Sequence, residues 1–233
     1  MQDKQAKKII RNTIADYNRI SPLWSTKRSF LPSDMKEIAE NISDGDTILD
    51  LGCGNGIFYE AVQGMKISYL GADPAKQLIE IAKIRFPDAS FKTIASDKLP
   101  FNDQSFDKVV CLSVLHHIPT DKYRIQLLKE TLRVLKVGGK LIITVWNISD
   151  QMISWFQENK DQLKINNIDS EDIYYPFKNE QGKTQVLRYL HCFDEEKLSR
   201  TLSEAGFLVE KTWVIVRGAG KFSNVMAICH RQP

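Results

Sequence analysis

Apolar residues in this chain follow two patterns that alternate. Short runs at 48–51, 67–71, 90–94, 108–112 and 141–145 read as strands, and Ile48, Leu49 and Leu51 in the first read as buried on both faces. Between them apolar positions recur at helical spacing, with Leu78, Ile81 and Ala82 on one face and Leu128, Leu132 and Leu135 on another over 121–135. A further helix is expected at 57–63, and Gly138-Gly139 reads as the turn from the helix of 121–135 into the next strand. Helices alternating with buried strands predict a mostly parallel sheet covered on both faces.

The flanks differ from this core. Ile9, Ile10 and Ile14 make one face of an amphipathic helix over 4–17, which Ser21-Pro22 is expected to end, leaving 24–31 irregular before a second helix at 33–41. After 145 the periodicity weakens: 147–193 offers one helix near 151–163 and a turn at 179–183, a length typical of a functional lid. Asp194 caps a helix over 195–205 that Gly206 closes, and the runs 207–216 and 224–229, joined at Gly218-Ala219-Gly220, suit an antiparallel pair. The expectation is an α/β fold: a Rossmann-like, doubly wound, seven-stranded sheet in a single domain. Residues 1–45 would extend over the site, 46–147 would form the core, 148–193 a lid, and 194–233 the last helix and the antiparallel strands.

Composition narrows the setting. With 233 residues and a net charge of +3, the chain suits one large domain with its own core. No run approaches the roughly 18 apolar residues of a membrane span, and MQDKQAKK lacks a signal-peptide core, so a cytoplasmic protein without membrane association is expected. Cys53, Cys111, Cys192 and Cys229 form no CxxC pair and read as reduced structural thiols. The histidines (His116, His117, His191 and His230) make no ligand cluster, so no metal site is expected. Charge is uneven: residues 1–36 carry eight Lys and Arg against three Asp, a solvated helix face or a landing surface for phosphates.

Candidate chemistry starts at ILDLGCGNG (48–56). A buried strand running into Gly52, Gly54 and Gly56 opens the ligand crevice of a doubly wound sheet, because glycine lets the backbone turn and approach a ligand. Asp50 stands two residues before the first glycine and either belongs to the site or anchors the turn's amides. Asp73 lies 21 residues after Gly52, at the end of the second strand, where a carboxylate can accept from two ribose hydroxyls. A dinucleotide fingerprint would need glycine at position 57, which is Ile57, and a dehydrogenase therefore ranks last.

With LGADP (70–74), DKLPF (97–101), FDKVVCLSVLHHI (106–118) and LLKETLRVLKVGGKLIITVW (127–146), the chain resembles the class I S-adenosylmethionine-dependent methyltransferases. That family inserts its closing antiparallel pair into an otherwise parallel sheet. The resemblance implies that Gly52 and Gly54 approach the methionine moiety and ribose, that Asp73 with Pro74 holds the ribose, and that Leu112 and Ser113 face the methionine part. Where the family has an acid near the adenine this chain has Ala95, so either Ser96-Asp97 supplies the contact or the backbone alone does.

No Asn-Pro-Pro-Tyr motif of amino methylation and no cysteine pair of pyrimidine carbon methylation accompanies these motifs. Arg28, Arg188, His116, His117 and His191 instead suit a carboxylate acceptor. YNRISPLWSTKR (17–28), SVLHHI (113–118), TVW (144–146), DIYYPF (172–177) and LRYLHCFDEEKL (187–198) resemble the wobble-uridine tRNA methyltransferases, which esterify carboxymethyluridine in the anticodon loop. That resemblance implies a pocket lined by Arg28 and one of His116 and His117, approached from the lid by Arg188, Tyr189 and His191. It also implies tRNA as partner and a small zinc-binding activator subunit on the exposed edge strand of 90–94. Trp24 and Trp146 read as core residues. The alternatives are a methyltransferase of a small metabolite and, from another class, a non-catalytic cofactor-binding subunit.

Overall fold

All seven apolar runs form strands in the computed structural model, which describes residues 1–95, 98–166, 168–217 and 222–232. They are β1 (Thr47–Leu51), β2 (Ser68–Asp73), β3 (Ser90–Thr93), β4 (Phe106–Leu112) and β5 (Leu135–Trp146), followed after a separate pair, β6 (Asp172–Lys178) and β7 (Thr184–His191), by β8 (Phe207–Arg217) and β9 (Phe222–Arg231). The main sheet has the order β3-β2-β1-β4-β5-β9-β8, with β1 to β5 parallel and β9 antiparallel to both β5 and β8. The Gly218-Ala219-Gly220 turn lies outside the described residues.

Strand alternation divides the core into two layers. Leu49 and Leu51 of β1 point the same way as Val109 of β4 and Leu141, Ile143 and Val145 of β5. Helices α5 (Thr120–Val134) and α7 (Glu195–Glu204) close that layer through Leu128, Leu198 and Leu202. Ile48, Val110 and Ile142 point oppositely, onto Ile38 of α2 (Ser33–Ala39), Val62 of α3 (Tyr59–Val62) and Ile79 of α4 (Lys76–Arg85). Each such fully buried side chain contributes about 1.5 to 3 kcal/mol. Strand order reverses between β1 and β4, so the crevice opens beyond their C-terminal ends.

Three local expectations are corrected, and the lid gains two strands. Helix α1 runs from Asp3 to Thr26 straight through Pro22. The ring deprives the Asn18 carbonyl of its usual amide donor, and the Ser21 hydroxyl donates to that oxygen instead at 2.9 Å. Gly138-Gly139 is not a helix-to-strand turn but an irregularity inside β5, whose register against β4 shifts between Phe106 and Lys108. The helix after the glycine turn is a single turn, α3, because Gln63 is extended and Gly64 has φ +91°. The lid holds α6 (Asp150–Asn159) and the antiparallel β6–β7 pair, whose Pro176 is tolerated because β6 pairs on one side only.

Helix α1 crosses the crevice between the core and the lid. Ile20 packs with Phe177 and Val186 of the lid hairpin, joined by Tyr17, Leu23 and Trp24. On the core side the Asn18 side chain accepts from the Gln77 amide at 3.0 Å, capping the first turn of α4.

Candidate active site

The floor of the crevice is the glycine turn. Gly52 and Gly54 have φ +77° and +55°, and a Cβ at Gly52 would overlap Val114 while one at Gly54 would meet the Trp24 ring at 3.0 Å. Asp73 ends β2 and is 8% exposed; its carboxylate accepts from the Gly54 amide at 3.0 Å and the Ala75 amide at 2.7 Å. Burial pushes it up to about 6 against the pull of those two bonds. Asp50 accepts from the Tyr69 hydroxyl at 2.6 Å, and burial, with the Asp73 charge adding to it, pushes it up to about 7. The turn's amide anchor is therefore Asp73, while Asp50 lines the crevice with one carboxylate oxygen on Tyr69.

The walls are mainly apolar. Ile10, Ile14 and Tyr17 of α1 face Pro74, Leu78, Leu112 and Ile118 across about 1180 Å³ of empty space, the open mouth included. Ser113 also lines the space, in a left-handed conformation at φ +60° held by bonds from its amide to the Thr144 carbonyl and hydroxyl oxygens at 2.9 and 3.1 Å. Its buried hydroxyl has no hydrogen-bond partner among the described residues.

Beyond Ser113 the two adjacent histidines part company. His117 lines the crevice, whereas His116 is fully buried with its Nδ1 accepting from the Trp146 amide at 3.2 Å. The His117 Nδ1 sits 2.9 Å from the Tyr189 carbonyl oxygen, which can only accept, so that nitrogen carries the proton. Burial pushes His117 down to about 3, with Arg188 and Arg28 adding to it, so the ring is neutral and its Nε2 accepts from the Tyr17 hydroxyl at 2.8 Å. It is an orienting group, not a cation.

Positive charge comes from two arginines. Arg28 lines the crevice with its guanidinium carbon 4.4 Å from the Trp24 ring centroid. Arg188 of β7 is 6% exposed, with its guanidinium carbon 4.8 Å from the Trp146 ring centroid and 5.4 Å from that of Phe177. It does not itself line the crevice but lies behind Trp146, which does; it makes no ion pair among the described residues, and its Nε has no hydrogen-bond partner there. His191 lies elsewhere: its Nδ1 is 2.9 Å from the buried Asp172 carboxylate across the β6–β7 pair, and it does not line the crevice. Ser96 and Asp97 lie outside the described residues.

Residues 49–143 match the family model described as a methyltransferase domain. The seven-stranded sheet has the class I methyltransferase fold. A tRNA (carboxymethyluridine(34)-5-O)-methyltransferase of Arabidopsis thaliana is 32% identical over 134 residues, 56% of this chain and 31% of that protein. The chain spans under a third of the length of the curated tRNA methyltransferases it matches. Among solved structures, an S-adenosylmethionine-dependent methyltransferase of Methanosarcina mazei superposes with TM-score 0.67 at 23% identity, covering 84% of this chain and 97% of that one. A complex of the Haloferax volcanii Trm112 methyltransferase activator with a methyltransferase gives 0.66 at 18% identity, covering 96% and 97%. These likenesses agree with the sheet order, including the inserted β9.

The crevice fits S-adenosylmethionine. Gly52 and Gly54 bring backbone to its lining, Asp73 keeps lone pairs beyond its two amide bonds, and the walls suit an adenine ring. Tyr17 and Trp24 were missed as crevice residues, although Ile10, Ile14 and Tyr17 follow at four- and three-residue steps and Trp24 comes seven residues on, with Arg28 just past the helix end. That stripe is visible in the sequence once the helix continues past Pro22. Trp146 likewise lines the crevice and is not confined to the core. Among the described residues no group of three His, Cys, Asp or Glu could hold a metal ion, and no helix is long and apolar enough to cross a membrane. All four cysteines are free, and burial raises the thiols of Cys111 and Cys229 to about 12.

Proposed function

We propose that this domain transfers the methyl group of S-adenosylmethionine to a carboxylate oxygen on a carboxymethyl-type wobble uridine of tRNA, forming a methyl ester. The observation that carries the acceptor is Arg188, a cation 6% exposed that no carboxylate of the described residues neutralises. A buried unpaired charge is costly, and an arriving carboxylate relieves the cost. The names of the tRNA-modifying relatives support the same acceptor.

When bound, S-adenosylmethionine supplies a methyl group on a sulfonium whose sulfur leaves with the bonding pair. Gly52 and Gly54 would bring the backbone up to it, Asp73 would accept from its ribose hydroxyls, and Leu112 and Ser113 would lie beside its methionine part. Arg28 and Arg188 hold the acceptor carboxylate, which enters ionised, so no proton moves and no general base is needed. Neutral His117, fixed by Tyr17 and the Tyr189 carbonyl, adds shape without competing for the anion. Helix α1 across the mouth excludes water.

The reading implies a cytoplasmic enzyme. The free edge of β3 suits an activator subunit that adds a strand, as support from the Trm112-bound neighbour suggests.

Incubation with labelled methyl donor and tRNA bearing carboxymethyluridine should place alkali-labile label in RNA. Label that resists mild alkali, or never enters RNA, would remove the proposal. Asp73 adds a pH signature. Its proton pushes it out of the acceptor role as pH falls through about 6, so cofactor affinity should be flat above neutrality and weaken by up to tenfold per unit below that value. Titration calorimetry between pH 5 and 8 checks this.

A further inference from the structure

Cations and aromatic rings alternate from the crevice to the surface. Trp146 lines the crevice, Arg188 stacks between it and Phe177, and Lys27 lies over the same Phe177 ring at 5.3 Å from its centroid. Lys27 is exposed, and its ammonium donates to the Lys178 carbonyl at 2.7 Å, which brings the end of α1 onto the end of β6. Lys178 and Lys183 are exposed on either side of the hairpin turn. Two acids share this rim, Asp16 and Glu180, and Asp16 is paired with Arg19 at 3.0 Å.

Next to the rim stands Phe30, 86% exposed and three residues beyond Lys27. Single exposed apolar residues are common and need no account. This one differs because the backbone before it is held: the Arg85 guanidinium donates to the carbonyls of Arg28 and Ser29 at 3.2 and 2.9 Å and is itself paired with Glu60 at 2.8 Å. An aromatic ring is thus presented to solvent on a fixed support, beside exposed lysines and two residues from a crevice arginine. Single-stranded nucleic acid is recognised by this combination, with cations tracking the phosphates and a ring stacking on a base.

We infer that the rim where α1 meets the β6–β7 turn is the docking surface for the RNA loop that carries the acceptor, with phosphates on Lys27, Lys178 and Lys183 and a neighbouring base stacked on Phe30. The inference rests on the tRNA reading above and extends it to the surface outside the pocket. The lysines set affinity and its salt dependence, and Phe30 sets which nucleotide lies beside the one drawn into the crevice. The buried guanidinium then receives the carboxylate at the inner end of the same stack.

The test compares an anticodon stem-loop RNA carrying carboxymethyluridine with the free nucleoside, in steady-state methylation and in fluorescence anisotropy. Lys27→Glu combined with Lys183→Glu should raise the KM for the stem-loop tenfold or more and flatten its dependence on log salt by about one to two units. Phe30→Ala should raise that KM threefold to tenfold, and Phe30→Trp should restore it. Nucleoside kinetics and cofactor affinity should stay at wild-type values throughout. Lys4→Glu with Lys8→Glu, roughly 30 Å away along α1, serves as the control. If the control pair carries the effect, or the rim variants leave KM and salt slope unchanged, the docking surface is not here. Anisotropy separates the two levels: a wild-type protein that binds the stem-loop without methylating it sinks the functional reading and leaves the rim to its variants, whereas one that does not bind RNA overturns the rim.

Discussion

Asp73→Ala should weaken S-adenosylmethionine binding by about 100- to 1000-fold while lowering the melting temperature by only a few degrees. The wild-type carboxylate does two things at once: it accepts from the Gly54 and Ala75 amides at 3.0 and 2.7 Å, and it offers its remaining lone pairs to the crevice. Removing it leaves two amides without their acceptor, at roughly 1 to 3 kcal/mol each. That loss is partly offset, because the buried carboxyl, pushed up to about 6, was itself costly to keep ionised. Affinity has no such offset. Two hydrogen bonds from ribose hydroxyls to a charged acceptor are worth about 1.5 to 3 kcal/mol each, and every 1.4 kcal/mol is tenfold in Kd. Asp73→Asn should separate the roles, keeping more of the stability than of the affinity. Calorimetry and thermal melting on the same preparations decide it: binding by Asp73→Ala within threefold of wild type would mean that the ribose is held elsewhere.

The cofactor half of the crevice was legible because its signals are local. ILDLGCGNG joins the strand, the turn and the positive φ angles in nine consecutive residues, and Asp73 follows at the end of the next strand. Proline hid part of the other half. Pro22 is a helix breaker by propensity, and only the contacts of α1 with α4 and the lid, together with the Ser21 hydroxyl filling the vacated carbonyl, carry the helix through it. Stopping that helix at Pro22 also cuts the stripe that begins at Ile10, Ile14 and Tyr17, and so hides Trp24. The histidines show a second limit. Sequence places His116, His117 and His191 together as cations, but protonation is decided by burial and by which nitrogen meets a carbonyl, neither of which is written locally. His191 faces Asp172 because those two residues are paired across β6 and β7, a pairing that weak periodicity did not reveal.

Arg188→Met should cost about 100- to 1000-fold in methylation of a carboxylate acceptor and leave the protein as stable as before, or more so. Both halves of that expectation come from one fact. The guanidinium is 6% exposed between Trp146 and Phe177 and has no ion-pair partner among the described residues, so the fold bears the cost of a buried cation with no anion to relieve it. Methionine fills a similar volume between the two rings without that charge, and replacing buried ions by apolar groups is often neutral or stabilising. Activity moves the other way, because a fixed cation that positions and neutralises the acceptor is worth about 100- to 1000-fold in turnover. Cofactor affinity should be unchanged, since Arg188 lies behind Trp146 and is not among the residues lining the crevice. Thermal melting, calorimetry with S-adenosylmethionine and turnover on the stem-loop RNA distinguish the outcomes. A variant that melts several degrees lower would show Arg188 to be structural, held by its two rings, and one that keeps turnover within tenfold of wild type would place the carboxylate on Arg28 alone.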